Sequence, residues 1–360
     1  MTSPTRFERT QLTEDDSYES QHTYYDICPW SHDGRWIAFS SAPVDGDYTP
    51  FGHDTLACRD GRVSLIDTET LQSREVATGA LYMKHGGAFC MWHPAHHKVY
   101  FRQNEESFAS LDLATGKKTL LSGRIRQLSP DGAAFATLRE TPHGGGQGAA
   151  IGIMAEDGSQ CHELVRRELL YELTPNRDEF RPEDMMLGNT KWRPDSQYML
   201  IAMWTHSRPQ VRRSLYIASR DGTEIRWLTH FAHHHSWTPD GQRILFNDRL
   251  PVGTEGTAEP RMLLVDFDGV NRHVVFDEPV GSHPAMHPDG TAILDADTKG
   301  IYVVRLDRNR IERLAAFASA FDSTHHGTHP HPVWNQDGTR ILHNSAESGH
   351  SEIYHIAINN

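Results

Sequence analysis

The chain has 360 residues, 37% hydrophobic and 23% charged, the balance of a folded globular protein rather than a disordered one. Its net charge of −13 argues against a general binder of nucleic acid or anionic membranes, while leaving room for a local basic pocket that takes a small acidic ligand. Four cysteines (Cys28, Cys58, Cys90 and Cys161) are widely spaced with no CxxC pair, so neither a zinc knuckle nor a disulfide framework is expected.

The N-terminal MTSPTRFERTQ is polar, and no apolar run is long enough to cross a bilayer. A cytoplasmic protein without a signal peptide or membrane partner is expected; the oligomeric state is not legible. From there one phrase recurs along the chain, Trp-x-Pro-Asp-Gly followed by an alternating apolar stretch. It begins at Trp30, Trp92, Leu128, Trp192, Trp237, His287 and Trp334. Asp-Gly between two extended segments signals a hairpin, because Gly tolerates φ > 0. A second strand pair follows each hairpin, most clearly in SLYIASRDGTEIRWLT from Ser214. Four strands in a meander make one propeller blade. The predicted fold is therefore all-β: one seven-bladed β-propeller domain over residues 1–360, with four-stranded antiparallel blades.

The last repeat supplies only three strands, ending at SEIYHIAINN, and RFERTQLT near the N-terminus looks like the missing fourth. Residues Phe7–Leu12 are predicted to complete the last blade and remove an open sheet edge. The Gly-rich run His143–Gly148 reads as a loop in blade three and not a phosphate cradle, since no helix pattern follows it.

The unusual number is 24 histidines. Counting back six residues from the turn aspartates Asp240, Asp289 and Asp337 gives His234, His283 and His331. The same position holds Ile27, Phe89, Ile125 and Asn189 in the other blades, so histidine is not required by the repeat. In a propeller this position lies beside the central channel, where the three imidazoles are expected to approach one another. THHGTHPHPVW adds His329 two residues before His331, on the same side of an extended strand and roughly 6–7 Å away at the backbone. Pro330 and Pro332 stiffen the segment. Such a cluster, poor in carboxylates, points to a transition metal rather than calcium, and His325 and His326 just upstream offer a further ligand. His22, His32, His85, His93, His96, His97, His143, His162, His343, His350 and His355 fall outside the pattern and read as surface or packing residues.

The phrases HHHSW at 233–237, GSHPAMHPDG at 281–290 and THPHPVW at 328–334 resemble the oligogalacturonate lyases, seven-bladed propeller lyases of short pectic oligosaccharides. The resemblance implies His234 as catalytic base and His283, His326, His329 and His331 as metal ligands. It implies manganese as the metal, with Zn2+, Fe2+, Ni2+ or Co2+ as substitutes, and a uronate-containing oligosaccharide as partner. Where the family has Gln and Glu, this chain has His326 and His235. The family also uses an arginine on the strand before the base, for which Arg212 and Arg213 are the candidates. His235, His206 and Asn189 are expected to contact the sugar.

The implied reaction is β-elimination at a 4-linked uronate: His234 abstracts the C5 proton while a divalent ion neutralises the adjacent carboxylate. His235, if charged, would help to keep His234 neutral. Two alternatives stay open. One is a lyase of glucuronate-containing chains of the ulvan or rhamnose–glucuronate type. The other is a non-catalytic, Tol-like binding propeller.

Overall fold

The computed structural model describes residues 6–51, 55–140, 147–175, 177–205, 213–230, 232–248, 261–276, 283–296, 300–306, 310–316 and 328–359. The chain is all-β, a seven-bladed propeller: seven antiparallel sheets follow one another in sequence, five of four strands and two extended to five. The added strands are local. A hairpin arm, Thr49–Phe51, joins blade one, and Gln147–Gly148 pairs with the first strand of blade four. Between blades three and four the chain forms a short helix, Arg167–Leu173, that the repeat pattern did not announce. It anchors through Leu170 in a core with Phe180, Trp192 and Tyr216. Among the described residues, no helix is long and apolar enough to cross a membrane.

The recurring phrase has two jobs. Its aspartate shapes the turn: Oδ1 of Asp33, Asp131, Asp195, Asp240, Asp289 and Asp337 each accepts the backbone N–H two residues on. The next residue, glycine in five of these turns and Ser196 in the other, takes the left-handed conformation. At Gly338 space also matters, since a Cβ there would collide with the His287 ring. In three blades its tryptophan bolts the blade to the preceding one. The indole N–H of Trp92 donates to the Pro29 carbonyl at 2.8 Å, Trp237 to Lys191 at 3.0 Å and Trp192 to Gln127 at 3.4 Å. The three acceptors are equivalent, each lying just before the repeat residue of the earlier blade. Middle strands such as Tyr198–Thr205 are buried almost throughout, because both faces pack against neighbouring sheets.

The residues group into two compact units, Met1–Leu121 with His287–Asn360, and Ser122–Met286. In the first, Arg6–Gln11 pairs antiparallel with Glu352–Asn359, so the N-terminal strand completes blade seven as expected. Leu12 joins the core of Trp30, Phe39, Val333 and Leu342. Beside it, the Thr13 hydroxyl donates to the buried Glu352 carboxylate and accepts from the Ile353 N–H. Of the loop His143–Gly148, only Gln147 and Gly148 lie within the described residues.

Candidate metal and catalytic site

In the first unit three imidazoles converge. One donor atom each from His85, His329 and His331 lies within 4.8 Å of the others. Ring centroids are 4.3 Å apart for His85–His329, 5.0 Å for His85–His331 and 5.2 Å for His329–His331. Tyr24 packs edge-on to His331 at 4.5 Å. His331 is wholly buried, and His85 and His329 are half-buried. Three imidazole nitrogens this close fit a borderline divalent ion.

Each of these imidazoles is set by its backbone. The side-chain amide of Asn344 donates to the His329 carbonyl at 3.1 Å, and its main-chain N–H donates to Pro330 O at 2.8 Å. Its Oδ1 accepts the His22 N–H at 3.1 Å. Asn344 thus ties the His-Pro-His segment to the start of blade one. His22 lies buried against that segment, and burial lowers its pKa to about 3, so its ring is neutral. His85 rides on a tight turn closed by reciprocal hydrogen bonds between Met83 and Gly87. Gln21 clamps this turn from below, donating to Lys84 O at 2.7 Å and accepting from Gly86 N at 2.9 Å.

The sequence places His85 among the surface or packing residues; in the structure the Met83–Gly87 turn packs its ring onto the His-Pro-His segment, beside His329 and His331. The signal available was weak: a histidine followed by two glycines, just ahead of the repeat position at Phe89. His22 and His343 are packing residues as expected. His343, also lowered to about 3 by burial, accepts from Arg9 Nε at 3.3 Å and donates through Nδ1 to Asn344 O at 3.1 Å.

In the second unit, His234 stacks on His283 with centroids 4.4 Å apart, so two of the three in-register histidines do approach each other. His283 is 4% exposed and His234 half-buried. His234 is the extra residue of a β-bulge and has φ 40°. Asn189, Phe89 and His331 have φ of 44°, 52° and 42° at the same repeat position. Four blades therefore hold a non-glycine residue in the left-handed region at one place in the repeat. Such strain costs about 1–2 kcal/mol per residue and concentrates at functional positions.

His235 is 1% exposed, and its Nε2–H donates to the Asn189 carbonyl at 2.8 Å. Burial, then the positive charges of Lys191 and Arg126, hold its pKa well below the usual histidine range. A charged His235 is thus not what keeps His234 neutral, which corrects that part of the sequence reading. Asn189 is half-buried and its Oδ1 accepts from Arg126 at 3.3 Å. Arg126 and Lys191 are buried cations in this acidic chain, and Lys191 Nζ donates to the His235 carbonyl. Neither lies at the counted repeat position, although a basic residue inside a buried first strand is a visible signal. Arg213 begins strand Arg213–Ser219 and is half-buried. His206, Arg212, His325 and His326 lie outside the described residues.

No family model matches the chain. An oligogalacturonide lyase of Pectobacterium atrosepticum is 22% identical over 227 residues, 54% of this chain and 55% of that protein. The match thus spans about half the length of the curated relative. A solved oligogalacturonate lyase in complex with manganese superposes with a TM-score of 0.70 at 16% identity, covering 99% of this chain and 97% of that one.

The chain resembles oligogalacturonide lyases in sequence and in fold. A second lyase structure, from Vibrio parahaemolyticus, gives a TM-score of 0.69 at 14% identity over 99% of this chain and 97% of its own. The β-propeller domain of Cps50 (Swd1) from Myceliophteria thermophila reaches a TM-score of 0.58 at 13% identity over 99% of this chain and 100% of its own, so the fold is shared well beyond the lyases.

Proposed function

We propose that this protein is a divalent-metal-dependent lyase that cleaves short 4-linked uronate oligosaccharides, of the oligogalacturonate type, by β-elimination. The observation that carries the reading is the cluster of His85, His329 and His331, two of whose members belong to the phrase shared with the lyases. His85, His329 and His331 would hold the ion; for His283 and His326 the same role rests on the sequence resemblance. When bound, a divalent ion neutralises the uronate carboxylate and so acidifies the α-proton on C5. Manganese is the reference metal, because a relative was solved with it. Zinc, iron, nickel or cobalt also suit an imidazole set.

His234 is the proposed base. It takes the C5 proton, the C–H electrons form the C4–C5 double bond, and the C4–O bond breaks to release the leaving chain, whose oxygen takes a proton from water. The left-handed backbone at His234 and the stacking of its ring on His283 limit its rotamers, which lowers the entropy lost in reaching the attack geometry. Arg126 joins Arg212 and Arg213 as a candidate for the cation that meets the carboxylate, with Asn189 beside it as a sugar contact. His235 contributes by fixing Asn189 through its carbonyl, and the contact with substrate expected of it passes to Asn189.

The test is product analysis on a panel of galacturonate and glucuronate oligosaccharides with added MnCl2. Unsaturated products from di- or trigalacturonate are expected. Products from glucuronate chains alone would reassign the substrate, and no unsaturated product from any member would overturn the lyase reading.

A further inference from the structure

The first unit carries a second set of metal donors on the turns of blades one and two: His32, Asp33 and His97. One donor atom from each lies within 4.8 Å of the others. His97 Nε2 is 3.5 Å from Asp33 Oδ2, and the His32 and His97 rings are 4.8 Å apart. Donors at about 2.0–2.2 Å from one tetrahedral ion are separated by roughly 3.3 Å, so the His97–Asp33 spacing already matches. Small side-chain rotations bring in His32.

The backbone beneath these donors is fixed. Gly34 N–H donates to Ser31 O at 2.9 Å and Ser31 N–H to Trp36 O at 2.8 Å. Asp33 Oδ1 is fully engaged by the Ser31 hydroxyl at 2.5 Å and the Arg35 N–H at 3.1 Å, which turns Oδ2 toward the imidazoles. Across the gap, the His97 carbonyl accepts the Leu113 N–H at 2.9 Å, holding the blade-two turn. The equivalent aspartate of blade three shows the alternative, for Asp131 Oδ2 is met there by the Arg220 guanidinium at 2.6 Å. Blade one offers its free carboxylate oxygen to two imidazoles instead, donors that accept a metal where a guanidinium cannot. All three side chains are exposed, so water completes the coordination.

We infer that His32, Asp33 and His97 form a surface site for a borderline divalent ion such as Zn2+ or Ni2+, which cross-links the turns of blades one and two. Two nitrogen donors and one carboxylate select against Mg2+ and Ca2+, which prefer all-oxygen sets. The site is independent of the proposed lyase chemistry.

The experiment is a competition titration of the chelator-stripped protein with Zn2+ against a chromophoric chelator. The His32→Ala/His97→Ala double variant is expected to bind one equivalent fewer than wild type, with turnover of any uronate substrate unchanged. Asp33→Asn keeps the oxygen that holds the turn but loses the charge, and is expected to weaken the same equivalent at least about tenfold. The His329→Ala/His331→Ala variant should keep this equivalent. Zinc stoichiometry and affinity unchanged in the His32→Ala/His97→Ala variant would overturn the site.

Discussion

Asn344 donates its side-chain amide to the carbonyl of His329 at 3.1 Å while its own N–H holds the carbonyl of Pro330 at 2.8 Å. One residue on the second strand of blade seven therefore sets the orientation of the segment between two imidazoles of the cluster. Outer partners of this kind are worth about 10–100-fold in metal affinity. Asn344→Asp keeps the acceptor for His22 but removes the donor to His329. We expect its affinity for Mn2+ or Zn2+, measured by calorimetry, to fall by that factor while the circular dichroism spectrum is retained.

Gln21 does the equivalent for His85 through its two bonds to the Lys84 and Gly86 backbone. Gln21→Ala should weaken metal binding in the same titration, and an exchange experiment should show faster amide exchange across Met83–Gly87. Slow exchange and unchanged affinity would mean that the turn holds His85 without the clamp.

The bulge at His234 separates backbone from side-chain effects. Its φ of 40° penalises any residue with a Cβ, by about 1 kcal/mol or more. His234→Gly is expected to be at least about 1 kcal/mol more stable to urea than His234→Ala, while both lose uronate cleavage by at least about 100-fold. Full activity in either would remove His234 as the base.

Acid sensitivity follows from two buried rings. His22 and His343 are held to about 3 in the folded chain and titrate near 6.5 when unfolded. Between those values the unfolded state binds more protons, so this contribution is complete above about pH 6.5 and is lost as pH falls. Each ring steepens the loss by up to about 1.4 kcal/mol per pH unit. His343→Gln keeps a donor and an acceptor without titrating. Its urea midpoint should fall less steeply between pH 6.5 and pH 4.5 than that of wild type.

The fold was legible because the blades repeat one physical solution: in six of them an aspartate that closes the turn and, in three, an indole bolted to the blade before. Ring closure was legible for the same reason, since RFERTQ had no other partner than the three-stranded last repeat. The site was legible only where it follows the repeat. His329 and His331 lie two residues apart in one short His-Pro-His phrase, and His234 and His283 share a repeat position, so counting found them. His85 depends on a two-glycine turn and on Gln21, sixty-four residues away in sequence, and no local pattern encodes that contact. His235 looked like a pocket residue because it replaces a family glutamate. The bulge at His234 instead sends it into the blade-four contact with Asn189.

The most direct measurement follows the ultraviolet absorbance of the unsaturated uronate carboxylate during incubation of chelator-stripped protein with trigalacturonate. Absorbance should rise only after MnCl2 is added and should stay flat for His329→Ala/His331→Ala under the same conditions. A rise that is equal with and without the metal, or equal in the double variant, would contradict a metal-dependent lyase centred on these histidines.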